Sequence, residues 1–227
     1  MKLLVKYLIK EIERYKNINL ILSGGDSPIK YYKSLADNLK KFKIINFLIL
    51  DERVVSHKSN YSNYLNIYNA FKKNKNLKQK INPLIKKNLN SKYLNKAISL
   101  FKKYRTISIL GLGEDGHFAS IFYNSKQFGQ QIDVSNKPKY FITEKLGQPK
   151  VQRITMSLSM ILFSKKILLI INTKTKQKLL TQVLYKKKDY KKYPIYYLFK
   201  YAKNKILIYY KDRFFKLKKN KLTMYSY

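Results

Sequence analysis

The sequence has no cysteine, which excludes disulfides, thiol nucleophiles and thiolate metal sites. Histidine is almost absent as well, because His57 and His117 are the only two, and no convincing group of metal ligands is visible. No apolar run approaches the ~18–20 residues that a membrane-spanning helix needs. The N-terminal segment carries Lys6 and Lys10 among its apolar residues and has no small-residue cleavage site, so no signal peptide is predicted. A cytoplasmic protein is therefore the default expectation.

Acidic residues are few: 12 Asp and Glu stand against 49 Lys and Arg, which gives a formal net charge of +37. A balance this basic favours nucleic acid or another anionic surface as a partner. However, the lysines are spread over the whole length, and Asn, Ile and Tyr are abundant while Ala and Gly are scarce. That pattern is typical of AT-rich codon bias, which we favour over a selected nucleic-acid surface. On either interpretation, the positive field attracts anionic metabolites.

Apolar runs that predict strands alternate along the chain with stripes that predict helices. The predicted strands cover residues 18–22, 44–50, 81–85, 107–110, 140–143, 167–171 and, as the last one, 206–210. The predicted helices cover residues 2–15, 29–39, 61–71, 94–104 and 174–184, while residues 74–80 and 124–137 are predicted loops. With no internal repeat and no Pro/Gly linker, the pattern indicates one α/β domain over residues 1–227. Its sheet is predicted to be parallel or mostly parallel and to lie between helix layers.

Residues 111–120, GLGEDGHFAS, follow one of the predicted strands. Gly111 and Gly113 let the backbone turn sharply, and Asp115 and His117 stand two residues apart beside them. An acid and an imidazole at the end of a strand are typical of a catalytic turn in an α/β protein. A tight turn with solvated polar side chains fits the same residues equally well.

Residues 23–28, SGGDSP, join the first predicted strand to a helix. Ser27 is the predicted N-cap of that helix and Pro28 its first residue. Because the free N–H groups at a helix start bind phosphate, we favour an anion site here over an ordinary turn.

Three charged residues, Asp51, Glu52 and Arg53, end the second predicted strand. Burying charged side chains without a partner costs free energy. We therefore expect these residues to line a ligand crevice at the end of the sheet. The alternative is that Arg53 simply pairs with Asp51 or Glu52.

Several short motifs are weak alone but specific in their order and spacing. They are LSGGDSP at 22–28, LDER at 50–53, SNY at 59–61, INP at 81–83, LGLGEDGHFASIF at 110–122, RIT at 153–155 and a strand followed by Lys176. Together they resemble the 6-phosphogluconolactonase branch of the glucosamine-6-phosphate isomerase/6-phosphogluconolactonase superfamily. The resemblance covers about the first 185 residues and is weaker after them.

The resemblance implies a Rossmann-like α/β fold and a hydrolase that uses no metal and no cofactor. Its substrate would be 6-phospho-D-glucono-1,5-lactone, opened to 6-phospho-D-gluconate in the oxidative pentose phosphate pathway. No specific nucleic acid and no membrane would be partners, and the protein would be a monomer or a small homo-oligomer.

The resemblance also implies roles for individual residues. His117 would be the general base, which suits an imidazole because it titrates near neutrality. Asp115 would orient the imidazole or the sugar, and Arg53 would hold the lactone or stabilise developing negative charge. The remaining expected substrate and phosphate contacts are Ser23, Gly24, Gly25, Ser27, Asp51, Arg153 and Lys176.

The chain departs from the family pattern at a few positions. Asp26 stands in the phosphate loop where a small hydroxyl or neutral residue is usual, and a carboxylate near a dianion is unfavourable unless it points away. Thr173 and Gln177 replace the usual Gly and Ala, which weakens the alignment of Lys176. Thr106 replaces an acid that is common before the central strand.

Three other functions compete with the lactonase. The aminosugar-phosphate isomerase/deaminase branch has a glutamate five residues after the motif histidine and typically a tyrosine after Asp-Glu; here those positions are Phe122 and Arg53. A nucleic-acid-binding protein is suggested by the charge and the 21 tyrosines, although no binding motif is visible. An inactive relative is disfavoured because His117, Asp115 and Arg53 are all present.

Overall fold

The structure is a computed structural model that describes residues 1–15, 17–39, 44–85, 91–218 and 221–226. Its strands are β1 (Asn17–Leu22), β2 (Ile44–Ile49), β3 (Asp51–Arg53), β4 (Arg105–Gly111), β5 (Tyr140–Ile142), β6 (Arg153–Met156), β7 (Lys166–Ile170), β8 (Ile206–Tyr210), β9 (Arg213–Lys218) and β10 (Lys221–Tyr225). Its helices are α1 (Leu3–Glu13), α2 (Asp26–Asn38), α3 (Asn63–Ala70), α4 (Lys75–Lys78), α5 (Ser91–Lys103), α6 (Phe128–Ile132), α7 (Leu158–Ile161), α8 (Lys174–Leu184) and α9 (Ile195–Ala202).

A seven-stranded sheet in the order β10-β9-β8-β7-β4-β1-β2 forms the centre of the molecule. The pairs from β2 to β8 are parallel, whereas β8, β9 and β10 are antiparallel. The apolar residues of β1, β4 and β7 are buried, as expected for strands covered on both faces by helices. The prediction of a mostly parallel sheet between helix layers is confirmed.

One polar contact runs across the centre of this sheet. Asn19 in β1 is fully buried and its Nδ2 donates to Leu100 O at 2.8 Å and to Thr106 Oγ1 at 3.1 Å. Its Oδ1 accepts from Asn46 Nδ2 at 3.0 Å, so both ends of the amide are satisfied. Thr106, one of the departures from the family pattern, thus holds a buried amide in place.

A second sheet, in the order β3-β6-β5, was not predicted. Its strands are antiparallel and only three or four residues long. Asp51 lies opposite Thr155 and Arg53 opposite Arg153 in the register. The expectation of a single sheet was wrong because strands this short carry no periodic signal of their own.

Other differences from the predicted elements also involve short segments. Residues 74–80, predicted as a loop, contain α4, which Asn74 caps by accepting from Leu77 N at 3.2 Å. Residues 124–137 contain α6, and residues 81–84 form no strand. The chain also continues past β8 into a β9–β10 hairpin, so 206–210 is not the last strand. Among the described residues, no helix has the length and apolar character to cross a membrane.

Candidate active site

A cavity of about 230 Å³ opens where the parallel strands of the large sheet end. The loop after β1 contributes one wall, the end of β4 and His117 another, and the segment after β7 a third, while β3 and β6 of the small sheet close the remaining side. Its polar and charged lining residues are Ser23, Asp26, Ser27, Asp51, Arg53, Asn63, His117, Arg153, Asn172 and Lys176. The carboxyl ends of parallel strands are the usual ligand site of such sheets.

His117 and Asp115 form a hydrogen-bonded pair at the mouth of the cavity. Nδ1 of His117 lies 2.5 Å from Asp115 Oδ1, and the His117 backbone N–H donates to the same oxygen at 3.2 Å. Partial desolvation opposes ionisation of Asp115, but the hydrogen bonds and charge of His117 outweigh it and lower the pKa of this carboxyl. Because an ionised carboxylate only accepts, Nδ1 carries the proton and Nε2 is left as the basic nitrogen.

Glycine is required at Gly113 by this pair. A Cβ there would fall on the His117 imidazole and within 2.6 Å of Asp115 Oδ1. The turn closes on itself, since Gly113 N donates to His117 O at 2.8 Å and Gly116 N to Gly113 O at 3.2 Å. Gly116 has a φ of +79°, a conformation that side chains disfavour. The glycines of the motif thus shape the turn that carries the imidazole.

Arg53 and Arg153 form one wall of the cavity from neighbouring strands. They are register partners in β3 and β6, so both side chains stand on the same face of the small sheet. Nη1 of Arg53 donates to Tyr61 O at 2.9 Å and to Asn63 Oδ1 at 2.7 Å. Within the described part of the chain Arg53 makes no ion pair with Asp51 or Glu52, and its buried Nε has no hydrogen-bond partner.

Arg153 is almost fully buried and is anchored by backbone carbonyls. Nε donates to Leu146 O at 2.9 Å, and Nη2 donates to Gln148 O at 3.2 Å and to Pro149 O at 3.1 Å. Burial lowers the pKa of this guanidinium, an effect that the negative charge of Asp51 opposes.

Asp51 and Glu52 point to opposite sides, as successive strand residues do. Asp51 lines the cavity, and its Oδ2 accepts from Ser120 Oγ at 2.6 Å. Glu52 is not in the cavity lining. Its carboxylate accepts from Asn63 N and Arg53 N at 2.7 Å and from Tyr64 N at 2.8 Å, which places it at the start of α3. The prediction that all three charged residues line the crevice was therefore wrong for Glu52.

The start of α2 differs from the predicted one. Gly25 is the N-cap in an extended conformation, Asp26 is the first helical residue, and Ser27 is inside the first turn, so the predicted Ser27 cap was wrong. Ser23, Gly25 and Ser27 line the cavity, but Gly24 does not. A Cβ on Gly24 would lie 2.5 Å from Asn63 Cβ, so this glycine allows α3 to approach the loop.

Lys176 lies in the first turn of α8 and lines the cavity opposite the arginines' strands. Thr173 caps this helix by accepting from Lys176 N at 3.2 Å, and Lys176 Nζ donates to Asn172 Oδ1 at 3.2 Å. Burial lowers the pKa of the Lys176 ammonium, while the charges of Glu114 and Asp26 oppose that shift. Asp26 also lines the cavity, and its negative charge acts on Lys176 there.

Sequence reasoning missed Asn63, Asn172 and Ser120. Asn63 belongs to the second of two adjacent SNY tripeptides, residues 62–64, whereas the first copy was assigned to the motif. Only the second copy has a residue in the cavity lining, Asn63, while the first copy contributes the Tyr61 carbonyl to Arg53. No group of three or more His, Asp or Glu side chains is placed to hold a metal ion in the described ranges.

Known proteins share both the sequence and the fold. The family model for glucosamine-6-phosphate isomerases/6-phosphogluconolactonase matches residues 1–208. A 6-phosphogluconolactonase of Thermotoga maritima is 31% identical over 181 residues, 77% of this chain and 78% of that protein. The 6-phosphogluconolactonase from Plasmodium vivax superposes with a TM-score of 0.69 at 26% identity, covering 91% of this chain and 84% of that one.

The same fold occurs outside the lactonases. A monomeric glucosamine-6-phosphate deaminase superposes with a TM-score of 0.65 at 19% identity, over 91% of this chain and 90% of that one. The fold is therefore common to both branches and does not choose between them. Both the family model and the level of identity to a relative of similar length establish that the chain belongs to the glucosamine-6-phosphate isomerase/6-phosphogluconolactonase family.

Proposed function

We propose that this protein hydrolyses 6-phospho-D-glucono-1,5-lactone to 6-phospho-D-gluconate, a step of the oxidative pentose phosphate pathway. The observation that carries the proposal is one cavity lined by His117, which is hydrogen-bonded to Asp115, and by two arginines. A base and two cations in one cavity suit water attack on the carbonyl of a substrate that carries an anionic group. The named 6-phosphogluconolactonase relatives support the same substrate.

The chemistry needs one base that later becomes an acid. Nε2 of His117 takes a proton from water as the water oxygen bonds to the lactone carbonyl carbon, and the carbonyl oxygen becomes an oxyanion. Collapse of that oxyanion breaks the bond between the carbon and the ring oxygen, and the imidazolium returns the proton to the departing oxygen. Asp115 keeps the proton on Nδ1 and stabilises the imidazolium while it exists.

Arg53 is assigned to the lactone and Arg153 to the phosphate. Arg53 lines the cavity, and within the described residues its guanidinium forms no ion pair, so its charge is available to a substrate oxygen. The Nη1 group of Arg153 has no protein partner there either, and Lys176 and the start of α2 supply further positive potential. Asp51 remains a proposed sugar contact.

The aminosugar-phosphate branch fits this site less well. In the resemblance described above, that branch needs a glutamate five residues after the histidine, and Phe122 cannot transfer a proton. Arg53 also supplies a cation where that branch typically has a tyrosine. Both substitutions favour hydrolysis over isomerisation or deamination.

The direct test is an assay of purified protein with freshly prepared 6-phosphogluconolactone, corrected for spontaneous opening. We expect hydrolysis above the spontaneous rate that survives treatment with a chelator. The unphosphorylated lactone is expected to have a much lower kcat/KM, because binding of the phosphate positions the reacting carbonyl. A protein that does not exceed the spontaneous rate would overturn the function, and equal rates for both lactones would overturn the phosphate site.

The remaining parts of the proposal concern the protein as a whole. We infer a cytoplasmic enzyme in which residues 1–227 form one domain, present as a monomer or small homo-oligomer. Cell fractionation, limited proteolysis and light scattering test these three points in turn.

A further inference from the structure

The ring of Phe122 contacts two side chains of the site. Its centroid lies 4.3 Å from that of the His117 imidazole, with an angle of 30° between the planes, which is a stacked arrangement. The Arg153 guanidinium carbon lies over the same phenyl ring at 5.3 Å. Phe122 itself is 3% exposed, so the ring is held firmly by its surroundings.

The imidazole of His117 is also held by Asp115 and by the backbone of Gly113, against which it packs closely. Its hydrogen bond to Asp115 restrains one ring atom, and the Asp115 side chain is 59% exposed, where such a bond competes with water. The hydrogen bonds of the turn, from Gly113 N to His117 O and from Gly116 N to Gly113 O, fix its backbone but not the rotation of the ring. Phe122 is the aromatic contact that lies against the face of the imidazole and restrains that rotation.

A turn held by hydrogen bonds leads from His117 to Phe122 and brings the phenyl ring back against the imidazole. Ile121 N donates to Phe118 O at 3.0 Å, and Ala119 between them has a φ of 52°. Ser120 ties this turn to the small sheet through Asp51 at 2.6 Å and through Thr155 Oγ1, which accepts from Ser120 N at 3.1 Å. The position of Phe122 is thus determined by β3 and β6.

The far side of the contact is closed by a glycine. A Cβ on Gly147, whose φ is +69°, would lie 2.9 Å from Phe122 Cζ and 2.7 Å from Arg153 Nη2. Arg153 is held independently by the carbonyls of Leu146, Gln148 and Pro149. Loss of the phenyl ring would therefore release His117 much more than Arg153.

We propose that Phe122 is a positioning residue that orients the imidazole of His117 for proton transfer, an inference that rests on the proposed hydrolysis. The predicted signature is a split between the kinetic constants. Because a misplaced catalytic group typically costs up to about 10²-fold, Phe122→Leu should lower kcat by roughly 10–100-fold. KM should change by less than about threefold, since the anchors of Arg153 remain in place.

Phe141→Leu is the matched control. Phe141 is also buried, lies in β5 of the same small sheet and is outside the cavity lining, so this variant suffers the same chemical change. We expect both variants to unfold at similar temperatures and only Phe122→Leu to lose kcat. If the wild type is active and the kcat of Phe122→Leu stays within about twofold of the wild-type value, the positioning role is wrong. The proposed hydrolysis would then still stand.

NMR of the imidazole C–H groups tests the stack without any substrate. The chain has two histidines, so His57→Asn assigns the signals of His117. Ring current from a phenyl group at this distance shifts those signals upfield, and Phe122→Leu should return them towards unstacked values while Phe141→Leu leaves them unchanged. Unshifted wild-type signals would overturn the inference, whereas upfield signals in a protein without lactonase activity would overturn the function and the positioning role but not the stack.

Discussion

At the scale of single residues, the proposed reaction depends most on one basic nitrogen. His117→Asn removes Nε2 as a base but keeps a polar side chain of similar size. General acid–base catalysis typically contributes ~10²–10⁴-fold, so we expect kcat to fall by about that factor while substrate binding changes little. Steady-state kinetics at several pH values measures both constants.

His57→Asn is the matched control, because His57 packs against Tyr64 outside the cavity lining. It should leave both constants unchanged. If His117→Asn keeps near-normal kcat, then Asp115 or another carboxylate is the base.

Asp26 opposes binding of an anion in the proposed phosphate region. Asp26→Ser removes a charge from the cavity, and relief of a solvent-screened repulsion of about 1 kcal/mol should lower KM by roughly 3–10-fold. The same change removes an acid from the first turn of α2, so the free energy of unfolding should fall by about 0.3–1 kcal/mol.

The control for Asp26→Ser is Asp37→Ser, an equal loss of charge near the other end of the same helix. Its KM should match the wild type in the lactonase assay. A KM that rises in Asp26→Ser would show that Asp26 helps to hold the substrate.

The candidate site residues could be named from the sequence because most of them stand in local motifs at strand ends. Ser23, Asp51, Arg53 and His117 all reach the cavity for that reason. The choice of Gly25 over Ser27 as the cap could not be predicted, since it depends on where the backbone leaves its extended conformation. Asn63 was also out of reach, because two identical tripeptides are adjacent and only tertiary contacts distinguish them.

At the scale of elements, Glu52 connects β3 to the start of α3. Each of its oxygens accepts two hydrogen bonds, from Arg53 N, Asn63 N, Tyr64 N and Ser62 Oγ. In Glu52→Gln an amide NH₂ replaces one acceptor and faces two donors. We expect a loss of about 1–3 kcal/mol in the free energy of unfolding, measured by chemical denaturation.

The pH dependence of this loss has a defined sign. Burial raises the pKa of Glu52 despite its four hydrogen bonds, so the folded chain takes up the proton at a higher pH than the unfolded chain. This group therefore stabilises the wild type increasingly as pH falls towards the ordinary carboxyl range, and Glu52→Gln lacks that gain. The difference between the two proteins should widen from neutral to mildly acidic pH.

Glu144→Gln provides the comparison, because Glu144 accepts from Lys126 N and Ser125 Oγ near α6 but is partly exposed. In Glu144→Gln, water can accept the hydrogen bond that the lost carboxylate oxygen accepted. The free energy of unfolding is therefore expected to fall less than in Glu52→Gln. Equal losses in the two variants would mean that burial of Glu52 is not the cause.

Elements with a clear apolar run or helical stripe were predictable, whereas β3, β6, β9 and β10 were not. The periodicity of α8 and the apolar runs of β1, β4, β7 and β8 identified them within a residue or two. The strands of the small sheet have three or four residues, and their pairing joins segments far apart in the chain. The side of the cavity that β3 and β6 close therefore depends on tertiary contacts that no local pattern reveals.

At the scale of the whole molecule, the net charge of +37 dominates long-range behaviour. We expect weak, non-specific binding to nucleic acid at low salt that largely disappears at physiological ionic strength. Diffuse lysines release counterions but read no base sequence. Fluorescence anisotropy with labelled oligonucleotides at increasing salt measures this, and tight binding that survives high salt would favour a selected nucleic-acid surface.

The pairing of Arg53 with Arg153 also determines at which stage of synthesis and folding the cavity can be completed. Synthesis proceeds from the N-terminus, so the glycine loop, Arg53 and His117 all emerge from the ribosome before their neighbour strand β6. Pairings between segments so distant in the chain are intrinsically slow to form. A nascent chain that ends before Arg153 carries its histidine but lacks half of its cationic wall. We therefore expect activity to appear only late in folding. Local separation of β3 from β6 is expected to abolish activity while the large sheet stays folded.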